Sequence, residues 1–223
     1  MNKPNPDFQI KNVRLYRIDC MLFMKQIPDN YYNLAIVDPP YGIGVSAQDN
    51  TKRGKLGSHY KKKEWDKEAP NNDYFNELQR VSSNQIIWGA NHFIQSINKN
   101  SSCWLVWNKK TVGNTADCEL AWTSFKTAVR RFDFMWEGFW QENMKEKDKR
   151  IHPTQKPVAL YKWLLTNYAK KGDKIFDSHG GSMSSGCAAM DMGFDIDICE
   201  IDQEYFDNAV ERLKNNVQDY FEF

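Results

Sequence analysis

The C-terminal quarter of the chain constrains the fold most, because it has the pattern of one complete βαβ unit. It predicts in order a strand at 174–177, a glycine turn at 178–182, a helix from about 184 to 192, a strand at 195–199 and an amphipathic helix from 203 to about 216. A helical crossover of this length joins parallel strands of one sheet. We therefore expect an α/β fold, with helices on both faces of a mostly parallel twisted sheet.

The rest of the chain adds elements that extend this sheet. Apolar runs and alternation predict strands at 13–18, 34–37, 85–88 and 102–107, and helices at 21–26, 72–80 and 157–168, the last with Pro157 as its first residue. Aromatic residues crowd between 118 and 140 with partial alternation, which predicts further strands and an antiparallel hairpin. The 223 residues show no repeat or linker, so we expect a single domain over 1–223.

The composition is that of an ordinary globular protein, with 41% hydrophobic and 26% charged residues. No apolar run approaches the roughly 20 residues that cross a bilayer, and the first residues lack the apolar stretch of a signal peptide, so we expect a cytoplasmic protein without a membrane partner. The cysteines are odd in number and form no CxxC pair, which argues against a disulfide framework and a metal site. We expect all five to be small core residues: Cys20, Cys103, Cys118, Cys187 and Cys199.

Residues 38–41 read Asp-Pro-Pro-Tyr and directly follow the apolar run 33–37. In open α/β sheets, ligands bind at the carboxyl ends of the strands. An ionised aspartate only accepts hydrogen bonds, and prolines offer backbone carbonyls without N–H donors while they hold the turn at fixed φ. Asp38, Pro39, Pro40 and Tyr41 are therefore candidates for a site that accepts hydrogen bonds from its ligand.

Asp177, Gly181 and Glu200 indicate a second site at the same edge of the predicted sheet. A glycine turn lets backbone amides approach a ligand closely. An acid after the second strand, about 20 residues further on, can accept hydrogen bonds from both hydroxyls of a ribose. This arrangement is typical of nucleotide-binding βαβ units.

Three stretches together resemble the amino-group DNA methyltransferases that use S-adenosylmethionine, in the order of the β-class. They are DPPYG at 38–42, HPTQKP at 152–157, and FDSHGGS at 176–182 with EID at 200–202. The resemblance spans nearly the whole chain and implies a Rossmann-like methyltransferase fold. It also implies that Asp38 and the Pro39 carbonyl hold the target amino group, and that Tyr41 stacks on a base flipped out of the duplex.

The resemblance also implies a site for the cofactor S-adenosylmethionine. The residues assigned to it are Asp19, Thr154, Lys156, Asp177, His179, Gly180, Gly181, Ser182 and Glu200. The family's loop reads close to D-P-F-x-G-S-G, whereas here Ser178, His179 and Met183 replace the proline, the phenylalanine and the last glycine. We expect His179 to lie against the cofactor and Gly180 to supply flexibility lost at Met183; the alternative is weak cofactor binding. His152 is expected to be an ordinary loop histidine.

The net charge is only +1, but basic residues are concentrated in one stretch that contains no acid. We expect this stretch to contact DNA phosphates through Lys52, Arg53, Lys55, Lys61, Lys62 and Lys63. The region 49–150 is expected to contain the target-recognition residues. Further phosphate candidates are Lys109, Lys110, Arg130 and Arg131, Asn91 could face the site, and core packing is expected for Trp88 and Phe93.

The leading hypothesis is methylation of adenine N6 in double-stranded DNA. Cytosine N4 is the near alternative, because the same acceptor geometry serves both amino groups. A protein that binds DNA but has lost catalysis through the altered loop is a third hypothesis, and RNA stays open as a substrate. Methylation of a protein glutamine is disfavoured, because such enzymes generally carry Asn before Pro-Pro-Tyr. The short chain favours short target sites or a homodimer, and pairing with a restriction nuclease stays open.

Overall fold

The computed structural model describes residues 3–44, 63–111, 116–137, 140–145, 147–148 and 150–218. Within these residues, nine strands form one sheet in the order β1-β2-β11-β10-β3-β4-β6-β5-β7, and β8 pairs with β9 in a separate hairpin. The strands are β1 Phe8–Ile10, β2 Val13–Tyr16, β3 Tyr32–Val37, β4 Ser82–Trp88, β5 Leu105–Asn108, β6 Cys118–Thr123, β7 Arg130–Asp133, β8 Trp136–Glu137, β9 Trp140–Gln141, β10 Lys174–Asp177 and β11 Asp195–Cys199.

The centre of the sheet is parallel, as predicted. Strands β2, β11, β10, β3 and β4 are parallel neighbours, and β6 runs antiparallel between β4 and β5. The antiparallel hairpin predicted within 118–140 is present as β8 with β9, although it extends to Gln141. Strands β6 and β7 do not pair with each other, because each pairs with β5.

Six α-helices are described, and five of them agree in position with the predicted helices, whereas α3 was not predicted. They are α1 Cys20–Met24, α2 Asn72–Val81, α3 Ile94–Ile97, α4 Val158–Tyr168, α5 Ser184–Met192 and α6 Gln203–Gln218. Pro157 lies one position before α4, at its N-cap. Among the described residues, no helix is both long and apolar enough to pass through a bilayer.

Two hydrophobic clusters cover the two faces of the sheet. One contains buried residues of α4, α5 and α6, and the other contains buried residues of α1 and α2 with Ile97 of α3. Strand β3 contributes to both, since Leu34 and Ile36 belong to the first cluster and Ala35 and Val37 to the second. Alternate side chains of a strand point to opposite faces, so this strand is buried on both. Asp38, which directly follows β3, is thereby held at the end of a rigid strand.

Three cysteines are buried as expected, namely Cys103, Cys187 and Cys199. The expectation is wrong for Cys118, which is exposed at the start of β6, and Cys20 is only partly buried. Cys118 lines a cavity described below, so its exposure follows from that opening. Trp88 and Phe93 lie in the core as expected.

Candidate active site

The sheet order brings the two predicted sites together at one edge. Strands β3 and β10 are parallel neighbours, with Leu34 opposite Ile175 and Ala35 opposite Phe176. Asp38 therefore follows the carboxyl end of the strand beside the one that ends in Asp177. Strand β11 lies on the other side of β10, which adds Glu200 to the same edge. This is the edge at which open α/β sheets bind ligands.

Asp38 has both carboxylate oxygens engaged by side chains. Its Oδ1 accepts a hydrogen bond from the Tyr41 hydroxyl at 2.7 Å, and its Oδ2 accepts one from Lys156 Nζ at 2.5 Å. Lys156 belongs to the HPTQKP stretch, and its side chain is 3% exposed. The carboxylate is thus held against a buried cation that lies 118 positions away in the chain.

Lys156 also contacts a second acid, which the sequence analysis did not identify. Its Nζ lies 3.0 Å from Glu119 Oε2, and Lys109 Nζ pairs with the other oxygen of Glu119. Glu119 lies on β6 and Lys109 directly follows β5, so the antiparallel pairing of these strands brings the two together. Asp38, Lys156, Glu119 and Lys109 form an alternating set of charges, which we call the charge network. Pairing of each charge makes its burial tolerable.

The pKa values in the charge network follow from burial and from the shared cation. Burial and the nearby Glu119 raise the pKa of Asp38, while Lys156 opposes that change. Burial also acts on Glu119, but Lys156 and Lys109 together lower its pKa to about 2. Burial disfavours the charge of Lys156, yet the two carboxylates raise its pKa. The ammonium of Lys156 therefore holds two carboxylates side by side.

Tyr41 has close contacts through its ring and hydrogen bonds through its backbone. An added Cβ at Gly89, which has φ +70°, would lie 2.1 Å from Tyr41 Cε1, so only glycine leaves room for the ring. The ring stacks on His92 with the centroids 5.0 Å apart. The backbone N–H groups of Tyr41 and Gly42 both donate to Asp66 Oδ1, at 2.8 and 2.9 Å. Sequence reasoning missed Asp66, because no motif contains it.

A cavity of about 640 Å³ opens over Asp38 and Tyr41. Its lining includes Pro39, Pro40 and Asn91, together with Glu119, Thr154 and Lys156. This volume lies in the usual range for small-molecule sites. The assignment of Lys156 to the cofactor site stays a prediction; in the structure its ammonium points to Asp38 and Glu119. Thr154 lines the same cavity, and its hydroxyl lies 3.2 Å from His152 Nδ1.

The glycine turn forms a second, adjacent group of polar contacts. The backbone N–H of Gly181 donates to Glu200 Oε2 at 2.8 Å, and that of Asp202 donates to Glu200 Oε1 at 2.8 Å. Burial raises the pKa of Glu200, against these two hydrogen bonds. Asp177 accepts from Ser185 Oγ at 2.6 Å and from the His179 backbone N–H at 3.1 Å. Burial nevertheless raises the pKa of Asp177 to about 7.

The departures from the family's loop pattern are accommodated within the fold. Met183 has φ +60°, a conformation that favours glycine, and its side chain is fully buried in the core cluster. An added Cβ at Gly180 would lie 2.2 Å from Met183 Cε and 2.7 Å from Ile198 Cγ2. Gly180 therefore provides space for the Met183 side chain, where we had expected it to provide flexibility. Ser182 is buried, and its Oγ lies 3.1 Å from Ser184 Oγ.

The two histidines near the glycine turn are held neutral by burial. His179 Nδ1 lies 2.8 Å from Ser178 Oγ, and burial lowers its pKa to about 4. Burial, with Lys156 and Lys63 adding to it, lowers the pKa of His152 to about 3. An added Cβ at Gly181 would lie 3.7 Å from the His152 ring, so this ring forms part of the wall around the turn.

Two other predicted site residues have local partners. Asp19 is the N-cap of α1 and accepts from the backbone N–H groups of Met21 and Leu22. Lys63 lies 2.6 Å from Asp202 Oδ1 and 3.3 Å from Glu204 Oε2, over the ring of Tyr205. The phosphate contact of Lys63 stays a prediction; in the structure its charge is paired with two carboxylates.

The remaining phosphate candidates divide into three groups. Lys109 belongs to the charge network, and its contact with phosphate stays a prediction. Arg130 and Arg131 are exposed on β7, and Lys110 pairs with Glu142. The predictions for Lys52, Arg53, Lys55, Lys61 and Lys62 fall outside the described residues.

Two solved structures have a fold similar to that of this chain. The M1.HpyAVI–SAM complex matches 90% of this chain and 99% of its own at a TM-score of 0.57 and 20% identity. The PvuII DNA methyltransferase, described as cytosine-N4-specific, matches 95% of this chain and 93% of its own at a TM-score of 0.64 and 12% identity. These similarities establish an α/β methyltransferase fold.

Sequence comparison then identifies the family. The N6/N4 methyltransferase family, described as DNA methylase, matches residues 89–211, which are 123 of the 223 residues. The Type II methyltransferase M2.MboI of Moraxella bovis is 23% identical, over 97% of this chain and 95% of its own. The Type II methyltransferase M.HinfI of Haemophilus influenzae is 26% identical, over 88% and 67%. The chain belongs to the family of N6/N4 DNA methylases.

Proposed function

We propose that the protein transfers a methyl group from S-adenosylmethionine to the exocyclic N6 of adenine in double-stranded DNA, with the target base flipped into the cavity over Asp38. The observation that carries this proposal is the placement of Asp38. Its carboxylate lies at the end of β3, in the wall of a cavity of about 640 Å³ and beside the glycine turn after β10. Asp38, which would accept hydrogen bonds from the amino group, thus lies next to the glycine turn that would bind the cofactor.

The chemistry requires hydrogen-bond acceptors at the target amino group. The lone pair of an exocyclic amino group is conjugated into the ring, which makes the nitrogen a poor nucleophile. Acceptors that bind its N–H groups draw electron density back onto the nitrogen. Asp38 supplies a carboxylate, and Pro39 supplies a carbonyl from a residue without an N–H donor. Tyr41 offers a ring for stacking, which is worth about 1–3 kcal/mol per base and offsets part of the cost of flipping.

The residues around the glycine turn fit S-adenosylmethionine. Glu200 has the position and chemistry to bind the ribose hydroxyls, and Asp177 can bind the ammonium group of the methionine end. Gly181 has φ +49°, and the nearest atoms to an added Cβ are those of the His152 ring at 3.7 Å, so its backbone is open to a ligand. The unusual Met183 is directed into the core and leaves this surface clear. When bound, S-adenosylmethionine supplies an activated methyl group.

Methylation of cytosine N4 is the second candidate. An amino group at either position would meet the same acceptors, and the similar PvuII methyltransferase is described as specific for cytosine N4. Asp38 favours adenine, since a serine at this position would have pointed to cytosine. The DNA-binding hypothesis without catalysis is weakened by the buried position of Met183, which removes the reason to expect an impaired cofactor loop.

Duplex DNA is the proposed partner, and the cytoplasm is the proposed place of action. We assign target recognition to 49–150, which includes the exposed Arg130 and Arg131, and phosphate contacts to the basic stretch 52–62. The whole chain 1–223 acts as one methyltransferase domain. A homodimer would lengthen its footprint on DNA.

The test is methylation of mixed-sequence duplex DNA by the purified protein with S-adenosylmethionine, followed by digestion to nucleosides and mass spectrometry. We expect N6-methyladenine from the native protein and none from Asp38→Ala. Asp73→Ala is the matched control, because Asp73 is exposed on α2 and does not line the cavity. N4-methylcytosine would correct the base, and the absence of any methylated base from a folded protein would refute the proposal.

A further inference from the structure

The Tyr41 hydroxyl occupies a position between an acceptor and a donor. It donates to Asp38 Oδ1 at 2.7 Å and accepts from Lys156 Nζ at 3.1 Å. The same small region of the cavity wall therefore binds both a donor and an acceptor placed side by side. A target amino group needs Asp38, so the Tyr41 side chain must shift its hydroxyl away from Asp38 when a base enters, while the Tyr41 backbone stays bonded to Asp66.

The base edge that carries the target amino group has the same pattern as this hydroxyl. In adenine the N6 amino donor adjoins N1, and in cytosine the N4 amino donor adjoins N3; both ring nitrogens are acceptors. In guanine and thymine, the corresponding ring nitrogen carries a hydrogen and donates. A carboxylate beside an ammonium therefore complements the first two bases and opposes the other two.

The surrounding residues fix the direction of the third N–H of Lys156. An ammonium has three donors, and Lys156 directs them to Asp38 Oδ2, Glu119 Oε2 and the Tyr41 hydroxyl. Lys109 holds the other oxygen of Glu119 in place. Departure of the Tyr41 hydroxyl would leave one donor, already oriented, beside the Asp38 oxygen that the target amino group takes. A buried donor of this kind must find a new acceptor.

We infer that Lys156 reads the target base, by donating a hydrogen bond to the ring nitrogen next to the amino group, which is N1 of adenine or N3 of cytosine. This inference rests on the proposed function and deepens it. Lys156 then binds substrate directly, while Glu119 and Lys109 are positioning residues. If Lys156 were only a counter-ion for Asp38, it would affect the methylation of every substrate equally. If it donates to the base, its effect on the rate depends on one ring nitrogen of that base.

The experiment first confirms methylation by the native protein and locates the target base by sequencing. Synthetic duplexes then carry adenine, 1-deazaadenine or 7-deazaadenine at that position; 1-deazaadenine has C–H in place of N1. For a cytosine target, 3-deazacytosine replaces 1-deazaadenine. Single-turnover assays with excess enzyme keep slow variants measurable. If the native protein methylates no ordinary DNA, the proposed function is refuted. If it methylates ordinary DNA, the deaza bases test the inference about Lys156 separately.

We expect the native protein to lose about 10-fold to 100-fold in kcat/KM on 1-deazaadenine, the usual effect of leaving a buried charged donor without a partner. The loss on 7-deazaadenine should be much smaller. Lys156→Met should be slow on all duplexes but should no longer distinguish 1-deazaadenine from adenine.

Lys110→Met is the matched control, because it removes a neighbouring cation that pairs with Glu142 and leaves the partners of Lys156 in place. It should keep the native discrimination. Equal methylation of adenine and 1-deazaadenine by the native protein would overturn the inference, and so would full discrimination by Lys156→Met. The native comparison of the two deaza bases needs no variant, so the first of these outcomes does not depend on the folding of Lys156→Met.

Discussion

Replacement of Met183 by glycine tests whether the buried Met183 side chain in the cofactor loop stabilises the fold. Two effects oppose each other in Met183→Gly. Methionine at φ +60° is strained, and glycine would relieve about 1–2 kcal/mol. The fully buried side chain would leave a cavity, which costs about 2–5 kcal/mol for a methionine truncated in a core. The difference between the midpoints of these ranges is a net loss of about 2 kcal/mol in the free energy of unfolding, which is the result we expect.

A double-mutant cycle with Gly180→Ala sharpens this prediction. The new Cβ at position 180 would lie 2.2 Å from Met183 Cε in the native background, and that contact disappears in Met183→Gly. The contact of 2.7 Å with Ile198 Cγ2 stays in both backgrounds. Gly180→Ala should thus destabilise the native protein more than it destabilises Met183→Gly, with a coupling free energy of about 1–2 kcal/mol.

The assay is urea unfolding of the four proteins, with S-adenosylmethionine affinity measured by calorimetry on each. We expect Met183→Gly to change the cofactor affinity little, because the replaced side chain faces the core. The reasoning is refuted if Met183→Gly is as stable as the native protein or more stable. Additive effects of the two substitutions would refute the proposed contact between positions 180 and 183.

Three further predictions concern titration and charge. Burial lowers the pKa of His179 to about 4, so the unfolded chain binds this proton more readily than the folded protein does. The free energy of unfolding therefore falls as the pH drops below about 6.5. His179→Phe should remove about 3 kcal/mol of that loss by pH 4, as measured by urea unfolding at a series of pH values. Burial raises the pKa of Asp177 to about 7, so the free energy of unfolding falls as the pH rises from about 4 to 7. Asp177→Asn should remove up to about 4 kcal/mol of this fall. An unchanged dependence of the unfolding free energy on pH in this variant would contradict the raised pKa of Asp177. Lys63→Ala should leave the salt dependence of DNA binding unchanged, because the charge of Lys63 is paired with Asp202. Lys62→Ala should reduce the slope of log affinity against log salt concentration by about 1. Equal slopes for the two variants would contradict this difference.

Much of the fold was predictable because its signals are local. The βαβ unit at 174–199 shows as two apolar runs, a glycine turn and a run of small residues, and each of these reflects a preference of neighbouring residues. Asp38 could be placed at the end of a strand for the same reason. Sequence reasoning did not predict that β6 would lie between β4 and β5, because pairing of distant strands leaves little trace in either strand alone.

Local sequence patterns were enough to predict most helices and strands, and to predict an acceptor site beside a glycine turn. The folded structure was needed to show which residues surround Asp38. The sequence pointed to the cofactor for Lys156 and to DNA phosphate for Lys109, and it did not identify Glu119. In the structure Lys156 contacts both Asp38 and Glu119, and Lys109 contacts Glu119. The physical reason is that a buried charge is stabilised by partners close in space, and folding can bring those partners from any distance along the chain.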